Sequence, residues 1–310
     1  SGEKALNEIR DQAAALAEPL GAEKALGALR ALIGALLGTH AKGELRTREG
    51  RAVATGVPVD GERMYRFEVL AAHLRAEPLP RIESAVTGLA RQHFAFVESY
   101  FSNYVEGTKF DIEQARDIVM NNAIVANRPK DSHDILGVFR LAITSPFRDS
   151  PPVAGPEFLE GLERWHAEML KMRPEANPGR PKLDVNYAGT TRFVEPAYVR
   201  GTLSEGSRLA LSVPEGLARA VYYAFLVSEV HPFDDGNGRL SRLVMNAELT
   251  RTGLSRIIIP TLYHPQYVDC ARALTRTNAP GGFVRSLAKM MRWASQFDYS
   301  SLDELIASLR

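Results

Sequence analysis

The stretch that decides the reading is Leu217-Ala-Arg-Ala-Val-Tyr-Tyr-Ala-Phe-Leu-Val-Ser-Glu-Val230, which runs directly into His231-Pro-Phe-Asp-Asp-Gly-Asn-Gly-Arg-Leu-Ser-Arg242. Leu217, Val221, Ala224 and Phe225 recur at the spacing of one helix face, so a helix is expected to end near Val230. Ser212-Val-Pro-Glu215 reads as a capping box opening it, with hydroxyl and carboxylate satisfying free amides. From about Gly238, Leu240, Leu243, Val244 and Ala247 repeat the helical pattern. Asp234 to Gly238 are strong turn formers and poor helix interiors, so a tight loop joins two helices.

That loop has chemistry. Consecutive amides in a Gly-Asn-Gly turn, feeding a helix N-terminus, form a partially positive nest suited to anions. Arg239 and Arg242 lie three apart, on one face near its mouth. Asp235 offers a hard carboxylate oxygen for Mg²⁺, which commonly combines few carboxylates with substrate phosphates. His231 offers a base near neutrality. Phe233 reads as an apolar anchor for the loop. Taken singly, a histidine beside proline or an Asp-Gly-Asn-Gly turn is structural more often than not. In this order they describe phosphoryl or nucleotidyl transfer. Other motifs fail: there is no Gly-x-x-x-x-Gly-Lys-Ser/Thr loop and no His-Glu-x-x-His helix, and Ser241 stands where a dinucleotide fingerprint needs its third glycine.

Outward from the loop, the chain is mainly helical. Residues 3–38, rich in Ala and Leu, predict an αα-hairpin, and 41–61 a loop or short strands. A long helix is expected over 81–106, ending at Gly107, then helices at 111–126, 131–143, 156–172, 265–277 and 281–297. Pro174, Pro178, Gly179 and Pro181 make 172–182 a loop. Leu183, Val185 and Tyr187 alternate with polar residues, and Gly189-Thr190 turns the chain back into Phe193-Val194, the only convincing β element.

Composition narrows the field further. Of 310 residues, 38 Lys+Arg face 37 Asp+Glu, a net charge of +1, which argues against nucleic acid or membrane as the primary ligand. The longest apolar run, residues 31–38, is far short of the ~20 residues that span a bilayer. A single cysteine, Cys270, allows no internal disulfide, and its helical setting makes it a packed thiol. The opening Ser1-Gly2-Glu3-Lys4 does not read as a signal peptide. The expected setting is cytoplasmic.

His231 to Arg242 resembles the Fic family signature His-x-Phe-x-(Asp/Glu)-Gly-Asn-Gly-Arg-x-x-Arg at every specified position. The resemblance implies an all-α, Fic-like helical bundle with a β-hairpin flap. It implies a protein adenylyltransferase that moves AMP from Mg-ATP to a Ser, Thr or Tyr hydroxyl of a target protein or of itself, releasing pyrophosphate. On that resemblance His231 is the general base and Asp235 holds Mg²⁺. Gly236, Asn237 and Gly238 bind phosphates through their amides, with Arg239 and Arg242 beside them. Ser102-Asn-Tyr-Val-Glu106-Gly107 resembles the family's inhibitory pattern, whose glutamate pairs with the final motif arginine, here Arg242. One carboxylate at that guanidinium competes with a phosphate for it. The hairpin is then the flap, with Arg192, Phe193 and Val194 lining a target groove to which an incoming segment adds main-chain hydrogen bonds.

The implied organisation is an N-terminal helical region (1–80), a Fic core (81–297) with an inhibitory helix at about 95–107, and a C-terminal helical tail (298–310). Two other functions stay open: a de-AMPylase or bifunctional enzyme using Glu106, and an ATP-sensing regulator without significant turnover. The N-terminal hairpin suits contacts with partners or a homodimer. The helix after Tyr267 is expected as an adenine wall, with Leu274 and Asn278 as candidates that helical packing explains equally well.

Overall fold

The computed structural model describes residues 2–17, 19–37 and 57–309. It divides into two compact units, residues 1–61 and 62–310. In the first, α1 (Gly2–Ala17) packs on α2 (Glu23–Leu36) as the expected αα-hairpin. Most of the link expected over 41–61 lies outside the described residues.

The second unit holds α3 (Gly61–Ala76), α4 (Leu89–Tyr104), α5 (Ile112–Asn121), α6 (Pro129–Ile143), α7 (Phe158–Met169), α8 (Pro196–Ala210), α9 (Leu217–Val230), α10 (Asn237–Arg251), α11 (His264–Thr277), α12 (Pro280–Ala294) and α13 (Leu302–Ser308). Its only sheet among the described residues is the hairpin of β1 (Tyr187–Ala188) and β2 (Thr191–Arg192), paired Tyr187↔Arg192 and Ala188↔Thr191. The fold is all-α with one small hairpin. Helix α3 lies within the residues 1–80 expected as an N-terminal region and belongs, from Glu62 onward, to the second unit.

The pair α9 and α10 forms the centre. Leu217, Val221, Phe225 and Val230 on one, and Leu240, Val244, Met245 and Ala247 on the other, are buried on several faces, the mark of helices enclosed by neighbours. Burying each such side chain contributes roughly 1.5–3 kcal/mol. The loop that joins them is therefore held at both ends by the most deeply buried helices of the molecule.

Several elements differ from expectation. Helix α4 begins at Leu89 and not near Arg81, because Gly88 takes φ 54 and the preceding segment is extended. There Ser84 N–H donates to Gly253 O at 3.0 Å and Ser255 N–H donates to Ile82 O at 2.8 Å. The capping box does not form. Helix α9 starts after Gly216, at φ 83, while the Ser212 hydroxyl donates to Leu209 O and the Glu215 carboxylate pairs with Arg219 and Arg251. Helix α8 escaped the sequence reading because its buried face is largely small: Gly201, Ser204, Gly206 and Ser207. The reason is proximity to α9, since a Cβ on Gly206 would stand 2.5 Å from a Leu226 methyl. The tail is helical, and Leu305 and Ile306 of α13 join Phe94 and Phe101 in one apolar cluster. The hairpin is shorter than its alternation suggests: Leu183 is 89% exposed and precedes β1, and Phe193 and Val194 follow β2.

Candidate active site

His231 is the residue at which α9 ends, in the left-handed region at φ 54 and ψ 60. Its Nδ1 lies 3.1 Å from Ser228 O, an acceptor only, so Nδ1 carries the hydrogen and Nε2 keeps its lone pair. The ring stacks on Phe193, with centroids 3.8 Å apart and planes within 6°. Burial, with the Lys182 charge adding, pushes the imidazole down to about 4 against the opposing pull of Ser228 O, Glu106 and Asp235. At neutral pH it is therefore an uncharged base.

The loop is locked from within and beneath. Asn237 accepts from Phe233 N–H at 3.0 Å and donates to Phe233 O at 2.7 Å. Phe233, fully buried as expected of an anchor, lies face to face with His166, centroids 3.9 Å apart. His166 was not anticipated. Gly179 N–H donates to its Nδ1 at 2.9 Å, which leaves Nε2–H to donate to Asp235 O at 3.0 Å. The sequence signal was present: a histidine in the apolar stripe of Leu162, Trp165 and Met169 on α7.

The three amides expected to hold an anion are not equivalent. Asn237 and Gly238 open α10, so their N–H groups have no intrahelical acceptor, whereas Gly236 N–H donates to Asp235 Oδ1 at 2.6 Å. Arg239 is 3% exposed and sits between carboxylates, Nη1 at 2.7 Å from Asp134 Oδ2 and Nη2 at 3.0 Å from Asp235 Oδ1. Asp134 also receives Arg173 at 2.7 Å. Burial raises the Asp235 carboxyl, but Arg239, the Gly236 amide and Arg173 outweigh it and hold the group below its ordinary value.

Arg242 reaches across to the end of α4. Its Nε donates to Ser102 Oγ at 2.9 Å, and its Nη2 donates to Ser102 O at 2.8 Å and to Glu106 Oε1 at 2.7 Å. Glu106 stands beyond the last residue of α4, in a turn that Gly107 completes at φ 99. Burial works against its charge, yet Arg242 by charge and hydrogen bond, with Arg239 and His231 adding, holds its carboxyl below the ordinary range. A Cβ placed on Gly238 would meet Glu106 Oε1 at 2.1 Å, so the carboxylate lies against the start of the anion cradle.

Part of this constellation faces one cavity of about 250 Å³. Glu106, His231, Gly238 and Arg242 line one side, Ala188, Thr191 and Phe193 of the hairpin another, and Tyr267, Val268 and Ala271 of α11 a third. The helix after Tyr267, expected as an adenine wall, lines it, but the two candidates on it do not: Leu274 is buried and Asn278 caps the end of α11. Among the three flap residues, Phe193 and Val194 turn inward and are buried, leaving Arg192 as the side chain offered to solvent. Arg63 donates to Arg192 O, and Arg276 donates to Thr190 Oγ1 at 2.8 Å, fastening the hairpin over the cavity. No group of three metal-ligating side chains occurs among the described residues, and no described helix is long and apolar enough to cross a membrane.

Residues 159–249, spanning α7 to α10, match the Fic/DOC family. That segment is similar to a Fic domain. The chain is 25% identical over 186 residues to the protein adenylyltransferase fic-1 of Caenorhabditis elegans, covering 56% of this chain and 35% of that protein. It is 27% identical over 213 residues to the protein adenylyltransferase Fic of Culex quinquefasciatus, covering 66% and 42%. It thus spans well under half the length of these curated relatives. Its fold resembles that of C. elegans Fic-1 residues 134–508 (TM-score 0.55, 18% identity, 99% of this chain and 88% of that one). It likewise resembles a Fic domain-containing signaling protein of Bacteroides thetaiotaomicron (TM-score 0.56, 17% identity, 80% and 98%).

Proposed function

We propose that this chain transfers AMP from Mg-ATP to a hydroxyl side chain of a protein and that Glu106 restrains the reaction. The observation that carries the reading is the shared cavity of a neutral imidazole, the helix start at Gly238 and Arg242. In the step, the acceptor hydroxyl gives its proton to His231 Nε2 while its oxygen bonds to the α-phosphorus. The bond from that phosphorus to the bridging oxygen breaks, and pyrophosphate leaves. The Asn237 and Gly238 amides and Arg242 stabilise the charge that builds on the phosphates.

Asp235 suits a hard cation as one of few protein ligands. Its Oδ1 is engaged by Gly236 and Arg239, while Oδ2 has Arg173 at 3.7 Å and the side chain is 47% exposed. A bound Mg²⁺ would neutralise phosphate charge there. The restraint follows from the Arg242 pair: a carboxylate on the guanidinium excludes a phosphate from it. Labelled ATP with Mg²⁺ tests both parts. Glu106→Gly raises labelling of the chain itself or of added protein, and a further His231→Asn abolishes it. Equal labelling in the double variant would end the mechanism.

A second reading rests on Glu106 being ionised in the same cavity as His231. A carboxylate so placed can orient water for removal of AMP from a modified hydroxyl. Release of AMP from labelled product then requires both Glu106 and His231, and its survival in Glu106→Gly rejects this reading.

A further inference from the structure

Lys182 stands at the foot of the hairpin and is 2% exposed. Its ammonium donates to Asn186 Oδ1 at 2.7 Å and, at 3.4 Å, to Val230 O, the carbonyl that ends α9. Its main-chain N–H donates to Pro232 O at 2.9 Å. Asn186 extends the link, donating to Phe233 O at 2.8 Å and, at 3.4 Å, to His231 O. The Asn186 carbonyl accepts from Phe193 N–H at 3.2 Å, and Phe193 is the ring that covers His231. Residues 182 and 186 thus join the flap to every carbonyl from 230 to 233.

Both ammonium partners are neutral amide oxygens. A buried cation compensated only by dipoles is costly, and at a helix C-terminus the carbonyl dipoles offset part of that cost. Burial, with Arg63 adding and Asp234 opposing, draws the Lys182 ammonium down to about 8, so it is charged at neutral pH.

We propose that Lys182 is a positioning residue for His231, a buried cation that joins the foot of the flap to the end of α9 and fixes the backbone from which the imidazole projects beneath Phe193. The charged groups around that imidazole are Lys182 from the flap, Glu106 from the turn after α4 and Asp235 from the motif loop. Arg242, Glu229, His264 and Arg272 share the cavity wall. Lys182 disfavours protonation, while Glu106 and Asp235 favour it. Removing the ammonium therefore makes the imidazole easier to protonate.

The test is histidine-resolved NMR of the full chain at pH about 5, with the His231 signal assigned by His231→Asn. Lys182→Met raises the ratio of protonated to neutral His231 about threefold, equivalent to roughly half a pH unit. Lys182→Arg leaves it close to wild type. Where Lys182→Met does not fold, Lys182→Gln carries the same measurement. An unchanged fraction in a folded neutral variant, or an equal change in Lys182→Arg, overturns the proposal.

A second arm rests on the adenylyl-transfer reading. In the Glu106→Gly background, the acid limb of the pH–labelling profile moves upward with Lys182→Met and returns with Lys182→Arg. Labelling absent from every variant would count against transfer itself, while the NMR result still decides the role of Lys182.

Discussion

Two glutamates two turns apart, Glu98 and Glu106, both bind arginines, and they do so in opposite ways. Glu98 lies within α4 and is 4% exposed. Arg256 grips both of its oxygens at 2.7 and 2.8 Å, and Asn246 adds a third bond at 2.9 Å. Glu106 lies past the end of the helix, is 39% exposed, and receives a hydrogen bond of 2.7 Å from Arg242 on one oxygen. The first is a saturated pair sealed in the core, fastening α4 to Asn246 of α10. The second closes a cavity by a single oxygen. The difference separates a fixed pair from a lightly held one: Glu98 fastens the helix itself, whereas Glu106 is held from a turn beyond it by Arg242.

The sharpest way to break that contrast is Glu98→Ala, which leaves the Arg256 guanidinium buried without its carboxylate. A loss of about 3–5 kcal/mol in unfolding free energy is expected by chemical denaturation. A loss near zero would make the two pairs alike. Glu106→Gly comes next. It removes a charged hydrogen bond of about 1.5–3 kcal/mol at the phosphate side, so transfer rises roughly ten- to a hundredfold in the labelling assay with little change in the unfolding midpoint. A smaller effect is set by pH. Because the folded Glu106 carboxyl lies below its ordinary 4.5, its contribution is present above that value and fades as pH falls through the lowered one. The difference in unfolding free energy between wild type and Glu106→Gln is therefore widest near neutrality and narrows below pH ~4.5. The smallest effect belongs to Ser102→Ala. It frees Arg242 Nε from one bond and raises labelling a few-fold, corresponding to about 0.5–1.5 kcal/mol.

Residues 231–242 were legible because their chemistry is contiguous. Turn formers, a helix start and the ionisable groups sit in one short run, and local rules place each relative to the next. The Ser102–Glu106 pair was legible as a short contiguous pattern, although the helix ends at Tyr104 and Glu106 reaches Arg242 from the turn that follows. His166 and Asp134 were not. Each looks like an unremarkable helical residue until tertiary packing sets it beneath the loop, one against Phe233 and the other against Arg239. Lys182 stood in a proline-rich stretch that announces only a loop, and nothing local shows its ammonium turned inward. The hairpin was found from its turn, but its strands were overextended because alternation from Leu183 to Tyr187 mimics pairing where no partner strand runs.

The backbone at His231 carries a lesson for enzymology. A chain bent to φ 54 at that joint accepts asparagine or glycine readily and most other side chains with reluctance. Exchanging the imidazole for a methyl group would disturb the crook as well as delete the base, blurring two losses into one number. Asparagine removes the chemistry and leaves the bend comfortable, which makes it the cleaner blank for any assay built on this chain.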